Sequence, residues 1–76
     1  MGDRPFTTRA LRALELADAT AAQLGNEYVG TEHLLIGLLE EKTGPAAQIL
    51  NHLGVSTDSV RAAWHQIRGE EPLPAP

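Results

Sequence analysis

Apolar residues recur at three- and four-residue steps in four separate stretches of the chain, and each stretch predicts one short helix. The first helix should begin within "FTTRAL", where Thr7 is a good N-cap, and it should end at Gly25, a natural left-handed stop. No stretch shows the alternation that is typical of a strand. The apolar stripe of this first helix should consist of Ala10, Leu14, Ala17, Ala21 and Leu24.

The second stretch, "LLIGLL" at residues 34–39, is apolar nearly all round, which places its helix at the buried centre of the domain. We expect Thr31 to cap this helix, with Glu32 and His33 in its first turn. Gly37 lowers helix propensity by about 1 kcal/mol relative to alanine. A second helix that approaches closely at this position would compensate for that loss.

Two further helices should follow the break at "EKTGP". Pro45 suits the first position of a third helix, which Gly54 would end, and Ser56 or Thr57 would cap a fourth helix that fades at Gly69. Their apolar faces should consist of Ala46, Ala47, Ile49, Leu50 and Leu53 in the third helix, and of Val60, Ala63, Trp64 and Ile67 in the fourth.

The pattern therefore predicts an all-α fold, a compact bundle of four short helices. Residues 1–5 would be a polar lead-in and residues 6–69 the helical domain. Residues 70–76, "EEPLPAP", would be a disordered, proline-rich tail or the start of a linker. A chain of 76 residues holds at most one small domain, and its stability margin is thin.

Charge and composition narrow the possible partners. The formal net charge is −4 and Lys42 is the sole lysine, which disfavours nucleic acid and anionic membranes and suits cationic or protein partners. The absence of cysteine excludes disulfides, thiolate zinc sites and cysteine nucleophiles. No segment reaches the roughly 18 apolar residues of a membrane span, and no signal-peptide stretch opens the chain. We expect a cytoplasmic protein.

The candidate chemistry is sparse. Three histidines, His33, His52 and His65, fall on different predicted helices, so no metal site is expected. Ser56 and Ser59 lack a glycine elbow, and no glycine-rich phosphate loop is present. We therefore expect neither enzymatic activity nor a cofactor. Two interpretations of Glu32 and His33 are open: they cap the second helix as its solvated first turn, where the acid favours the helix dipole, or they form a binding site.

Three sequence pieces resemble one repeat of the N-terminal domain of Clp ATPases, the AAA+ unfoldases of bacterial protein quality control. They are "FT-x-RA" at 6–10, "LG-x-x-Y-V-G-T-E-H-L-L-x-G-L-L" at 24–39 and "AA-x-I-L-x-x-LGV" at 46–55. The resemblance is closest to the Gram-positive type. It implies a non-enzymatic docking domain for substrates and adaptors, built in the family from two pseudo-symmetric repeats of four helices.

The Gram-positive resemblance also implies a ligand. Each repeat of that type can hold phosphorylated arginine, and the matching positions here are Glu32 for the guanidinium and Thr7 for the phosphate. The second repeat and the ATPase elements are absent, and the "EKTGPAA" loop departs from the glycine- and acid-rich turn of the family.

A lone repeat would expose the face that the family buries between repeats, so we expect a homodimer. Two functions stay open at this stage. One is a module that binds substrates or adaptors, and the other is an assembly module that pairs with itself or with a Clp ATPase N-domain without a small ligand. The chain could also be a fragment of a longer protein.

Overall fold

The computed structural model describes residues 4–70, and the side chains of residues 4–68 within them. This part of the chain is all-α without a strand, as the sequence predicted. The predicted tail, apart from its first residue, and the first three residues of the lead-in lie outside the described residues. The helices are α1 (Thr8–Gln23), α2 (Thr31–Glu41), α3 (Pro45–His52) and α4 (Thr57–Glu70).

Helix α2 is the centre of the bundle, which confirms the prediction from its apolar run. Helix α1 packs extensively along it, and α3 and α4 each contact it as well. On α2, Ile36 and Leu39 are buried, and Ile36 is only 1% exposed. A helix with neighbours on several sides has no polar face to keep, which explains why this stretch is apolar nearly all round.

The buried face of α1 differs in part from the predicted stripe. Ala17 and Ala21 are buried as expected, but Leu14 and Leu24 are exposed. Ala13 and Thr20 take their place in the contact with α2, and the Thr20 hydroxyl donates to Glu40 Oε1 at 3.1 Å. Small side chains fill this face because the two helices approach closely, while the leucines lie outside the contact.

Gly37 is the point of closest approach, as its position in an otherwise apolar helix suggested. A Cβ atom built on Gly37 would collide with the carbonyl oxygen of Ala13 and would lie 2.9 Å from Ala17 N and 3.1 Å from Ala17 Cβ. Two of these three atoms belong to the backbone of α1, so they cannot rotate away. Glycine at this position is therefore required for the packing of α1 on α2.

The helix ends follow the predicted signals with one correction. Thr7 caps α1, since its hydroxyl oxygen accepts from Ala10 N at 3.1 Å, and Ser56 caps α4 by accepting from Ser59 N at 3.1 Å. The prediction that Thr31 caps α2 is wrong. Gly30 is the N-cap and Thr31 is already helical, because a histidine ring rather than a threonine hydroxyl binds the free N–H group at this end.

The apolar faces predicted for α3 and α4 are only partly buried. Ala47 is fully buried against the rest of the domain, whereas Ile49 is 60% and Leu53 is 69% exposed. On α4, Trp64 is half-buried and Ile67 is exposed. The periodicity of these helices indicated which residues share a face, but this single repeat has too little surface opposite to cover them.

The turn between α2 and α3 is tied to the start of α1. Arg9 Nε donates to Thr43 Oγ1 at 3.1 Å, and Thr43 Oγ1 in turn donates to Glu41 Oε2. The N–H of Gly44 donates to the other carboxyl oxygen of Glu41 at 2.6 Å. The hydrogen bond from Thr43, with help from Gly44 and Arg9 and against partial desolvation, holds the pKa of the Glu41 carboxyl below its ordinary value of 4.5.

Gly37→Ala tests the helix contact. Alanine gains about 1 kcal/mol of helix propensity, but overpacking against a backbone costs about 1–3 kcal/mol, and the unyielding Ala13 carbonyl favours the upper end. We expect urea denaturation to show a lower free energy of unfolding. The control is Asp18→Ala at an exposed position of α1, which should be neutral or slightly stabilising. A Gly37→Ala chain as stable as the parent would contradict the contact.

The Glu41 hydrogen bonds predict a specific acid dependence. Because the folded pKa lies below the unfolded value, the stabilising contribution is complete above about pH 4.5 and is lost as the pH falls through the folded pKa. Carboxyl ¹³C titration by NMR should give that lowered pKa, and Thr43→Val should move it upward. Thr31→Val, a threonine without a contact to Glu41 in the described part of the chain, should leave it unchanged.

Candidate functional site

The main candidate residue, Glu32, lies in the first turn of α2, directly after the turn that joins α1 to α2. Gly25 adopts a left-handed conformation with φ of 73°, as the sequence predicted, and ends the first helix. The N–H of Asn26 then donates back to Ala21 O at 2.9 Å. The left-handed Gly25 and this hydrogen bond reverse the chain within a few residues and bring it to Gly30, the N-cap of α2.

His33 fixes the geometry of this turn. It is fully buried, and its Nδ1 atom accepts from the N–H of Gly30 at 2.7 Å. A ring nitrogen that accepts cannot carry the proton of a neutral imidazole, so Nε2 carries it and donates to Asn26 Oδ1 at 2.9 Å. The ring of Tyr28 lies against the imidazole, with centroids 5.6 Å apart and planes tilted by 60°.

Glu32 and His33 are neighbours in the sequence, but the structure shows that they differ in burial and in hydrogen bonding. Glu32 and His33 both lie in the first turn of α2, as predicted, but the imidazole points into the core and binds both ends of the turn. Helix capping was one of the two interpretations of His33, and the imidazole does take part in capping α2, although it is buried rather than solvated. The signal was the spacing of three between Gly30 and His33, which matches the reciprocal bond of a capping box, with an imidazole replacing the usual carboxylate.

Glu32 lies beside the backbone of Gly30 and is half-buried. A Cβ atom built on Gly30 would lie 2.9 Å from Cδ and 3.2 Å from Oε2 of Glu32, so glycine leaves the space that this carboxyl group occupies. Among the described residues the carboxylate has neither a hydrogen-bond donor nor a cationic partner. It is a negative group, held on a rigid turn, that has acceptor sites to offer.

Thr7 is exposed at the start of α1, where it is the N-cap of the helix. Its hydroxyl oxygen accepts from Ala10 N, and its carbonyl accepts from Leu11 N at 3.0 Å. The N–H groups of Thr8 and Arg9 belong to the first turn, where an α-helix offers no internal acceptor. Such donors, together with the hydroxyl group, suit an anion.

The structure does not join Thr7 and Glu32 by any contact within the described part of the chain. A shallow cleft of about 410 Å³ lies elsewhere, between the end of α2 and the start of α4, and neither residue lines it. Its lining residues are Leu39, Lys42, Asn51, Ser56, Thr57 and Asp58.

Two other kinds of site find no support in residues 4–70. No three side chains from His, Asp and Glu are placed there so that they could hold a metal ion. Within the same residues, none of the helices combines the length and the apolar character that a bilayer crossing requires.

Comparison with known proteins identifies the family. Residues 5–73 match the Clp repeat (R) N-terminal domain. The ATP-dependent Clp protease ATP-binding subunit ClpA homolog of Porphyra purpurea is 53% identical over 66 residues, which cover 87% of this chain and 8% of that protein. The chloroplastic chaperone protein ClpC of Pisum sativum and ClpC1 of Arabidopsis thaliana are each 48% identical over 66 residues, covering 87% of this chain and 7% of each relative.

The chain thus spans less than a tenth of the length of these curated relatives, and the match lies in a helical repeat rather than across the whole protein. The Gram-positive type within the family stays a prediction. The motifs, the four-helix fold and the match over nearly the whole chain lead to one conclusion: this protein belongs to the Clp repeat (R) N-terminal domain family.

Proposed function

We propose that this chain is a non-enzymatic protein-binding module that recognises substrates or adaptors for Clp-type proteolysis. Membership of the family supports a role in protein interaction. The relatives that it matches are named as a Clp protease ATP-binding subunit homolog and as Clp chaperones. The chain matches only their repeat segment, so the ATPase work of those proteins would lie in other domains or other chains.

The observation that carries the proposal is the unpaired carboxylate of Glu32. His33 is hydrogen-bonded to both Gly30 and Asn26, so the backbone next to Glu32 is already ordered. Binding of a partner to the carboxylate would therefore not have to order a mobile loop. A partner that offers a guanidinium could form two parallel N–H···O bonds to it, which is the strongest common form of ion pair.

We propose phosphorylated arginine as the ligand group. Glu32 would bind the guanidinium, and Thr7 with the free N–H groups of Thr8 and Arg9 would bind the phosphate of the same or of a neighbouring modified residue. The Thr7 hydroxyl oxygen is occupied by Ala10 N, but its proton remains available to a phosphate oxygen. No cofactor or metal takes part in this proposal, and neither nucleic acid nor membrane is a partner. The cytoplasmic location stays a prediction.

A second candidate function is supported by the exposed apolar residues of α3. Ile49 lies in this helix and Leu53 is its C-cap residue, four positions on, and both are more than half exposed. Apolar side chains grouped in this way favour a protein contact. The chain would then act as an assembly module that forms a homodimer or pairs with the N-domain of a Clp ATPase, with or without the small ligand.

NMR titration of the ¹⁵N-labelled chain with free phosphoarginine tests the ligand. We expect shifts at the amides of Glu32 and of residues 7–9. Glu32→Gln removes a charge-assisted pair worth about 1.5–3 kcal/mol, so the dissociation constant should rise by about 10- to 150-fold. Glu27→Gln changes an exposed acid in the neighbouring α1–α2 turn; it is the matched control and should bind as the parent does.

Separate titrations with arginine and with inorganic phosphate test the guanidinium-binding part and the phosphate-binding part of the site independently. Arginine should shift the Glu32 region and phosphate the start of α1. If millimolar phosphoarginine moved none of these amides, or if Glu32→Gln bound as well as the parent, the ligand would be wrong, while the assembly function would stand untouched.

A further inference from the structure

The backbone conformation of Gly30 does not require a glycine. Its φ of −95° and ψ of 177° lie in the extended region that any L-residue adopts. Gly25 and Gly54, by contrast, have φ of 73° and 81°, in the left-handed region that favours glycine. Conformational freedom therefore explains those two glycines but not Gly30.

The start of α2 does not require a glycine at this position either. Gly30 is the N-cap, and no side-chain hydrogen bond from this residue caps the helix. Serine, aspartate and asparagine rank above glycine as N-caps, because their side chains accept from the free N–H groups of the first turn. The N–H of Gly30 donates to His33 Nδ1 at 2.7 Å, and any residue except proline can make that bond. Serine would therefore serve the helix start at least as well.

The missing side chain of Gly30 leaves room for a neighbouring carboxyl group. The three atoms nearest to a Cβ built on Gly30 all belong to the side chain of Glu32. Oε1 would collide with that Cβ, while Cδ would lie 2.9 Å and Oε2 3.2 Å away from it. Side chains of an α-helix tilt toward its N-terminus, so the Glu32 side chain reaches back over the N-cap. Its carboxyl group thus takes the place that a side chain at position 30 would fill.

A side chain at position 30 would have a different effect from one at Gly37. The Ala13 and Ala17 atoms that block Gly37 include backbone atoms, so a substitution there strains the packing of two helices. The atoms beside Gly30 are the end of a flexible side chain, which can turn away by rotation about its own bonds. A side chain at position 30 would therefore leave the fold intact and displace the Glu32 carboxylate.

No other contact competes with this steric effect. Among the described residues, the Glu32 carboxylate has no hydrogen-bond donor or cation that would hold it in a different place. The side chain is half-buried beside the backbone of Gly30, which restricts the orientations that it can adopt. A carboxylate restricted in this way loses less rotamer freedom when it binds a partner.

We propose that Gly30 is a positioning residue of the guanidinium site: its missing side chain admits the Glu32 carboxylate to the surface of the N-cap and so orders it for a bidentate pair. The inference rests on the proposed function and adds to it a residue that itself contacts no ligand. Gly30 acts through Glu32 alone, so a substitution at position 30 changes binding without removing any group that binds.

Nuclear Overhauser contacts in the whole chain test the position of the carboxyl group directly. The parent should show contacts between the Hα protons of Gly30 and the Hγ protons of Glu32. Gly30→Ala and Gly30→Ser should lose these contacts or weaken them strongly, because the added Cβ occupies the same space. Circular dichroism of each variant verifies that the helices are intact.

Phosphoarginine titration followed by NMR measures the consequence for binding. Both variants should raise Kd by about 2- to 13-fold, which corresponds to ordering one side chain that the parent already holds in place. Gly30→Ser is the decisive variant, because its hydroxyl group can cap α2. It should unfold at the same urea concentration as the parent or at a higher one, and still bind more weakly. A glycine with a purely structural role would not weaken binding while stability is kept.

A double-mutant cycle shows whether the effect acts through Glu32. The Glu32→Ala background has no carboxylate to position, so adding Gly30→Ser should not change Kd further. Gly44→Ala is the matched control, since Gly44 is also an N-cap with an extended backbone. An added Cβ there would lie 2.8 Å from Glu41 Oε1 and would displace a carboxyl group outside the proposed site. This control should leave Kd and the contacts between residues 30 and 32 as in the parent.

The outcomes separate this inference from the proposed function. If the Hα–Hγ contacts persisted in both variants, or if Gly30→Ser bound phosphoarginine as tightly as the parent, Gly30 would not be a positioning residue and the ligand would stand. The same loss of affinity from Gly30→Ser in the Glu32→Ala background would also overturn the inference. If the parent bound no phosphoarginine, the proposed ligand would be wrong, and the contacts alone would decide whether Gly30 directs the carboxylate.

Discussion

The close approach of α1 and α2 at Gly37 is the constraint on which the rest of the structure depends. Because the missing side chain lets the Ala13 carbonyl and the Ala17 backbone lie against α2, only small residues fit between the helices. The contact leaves the leucines of α1 outside it. The same packing that forms the core therefore also leaves Leu11 and Leu14 of α1 partly exposed to solvent.

Two sets of hydrogen bonds then hold the ends of this helix pair. At one end the buried imidazole of His33 ties Asn26 to Gly30 and presents Glu32 on a rigid turn. At the other end Arg9, Thr43 and Glu41 tie the α2–α3 turn to the start of α1. A domain this small has little apolar core, so such polar links matter more to its shape than they would in a larger protein.

Polar groups in the core of the domain differ from those at its surface in whether they have hydrogen-bond partners. The buried groups in the described part of the chain are satisfied, with no side-chain nitrogen or oxygen left buried without a partner. The Glu32 carboxylate, which has no partner among the described residues, is half-exposed at the surface. The core of the described residues therefore needs no further hydrogen-bond partner, whereas the Glu32 carboxylate can still accept one.

The sequence by itself determined the helix count, most helix ends, the central place of α2 and the close approach of another helix at Gly37. These features depend on local signals, namely periodicity, capping residues and the conformational freedom of glycine. The family likewise followed from three short motifs, at the start of α1, along α2 with the turn before it, and along α3.

Tertiary structure decided which α1 residues are buried, because the answer depends on how closely two helices approach and not on the spacing within one of them. It also decided that the imidazole of His33 meets the side chain of Asn26, seven positions away, and that Arg9 reaches Thr43, a residue 34 positions away. Each of these bonds requires side chains to meet across a turn or between helices. Their partners are set by packing, which no local pattern records.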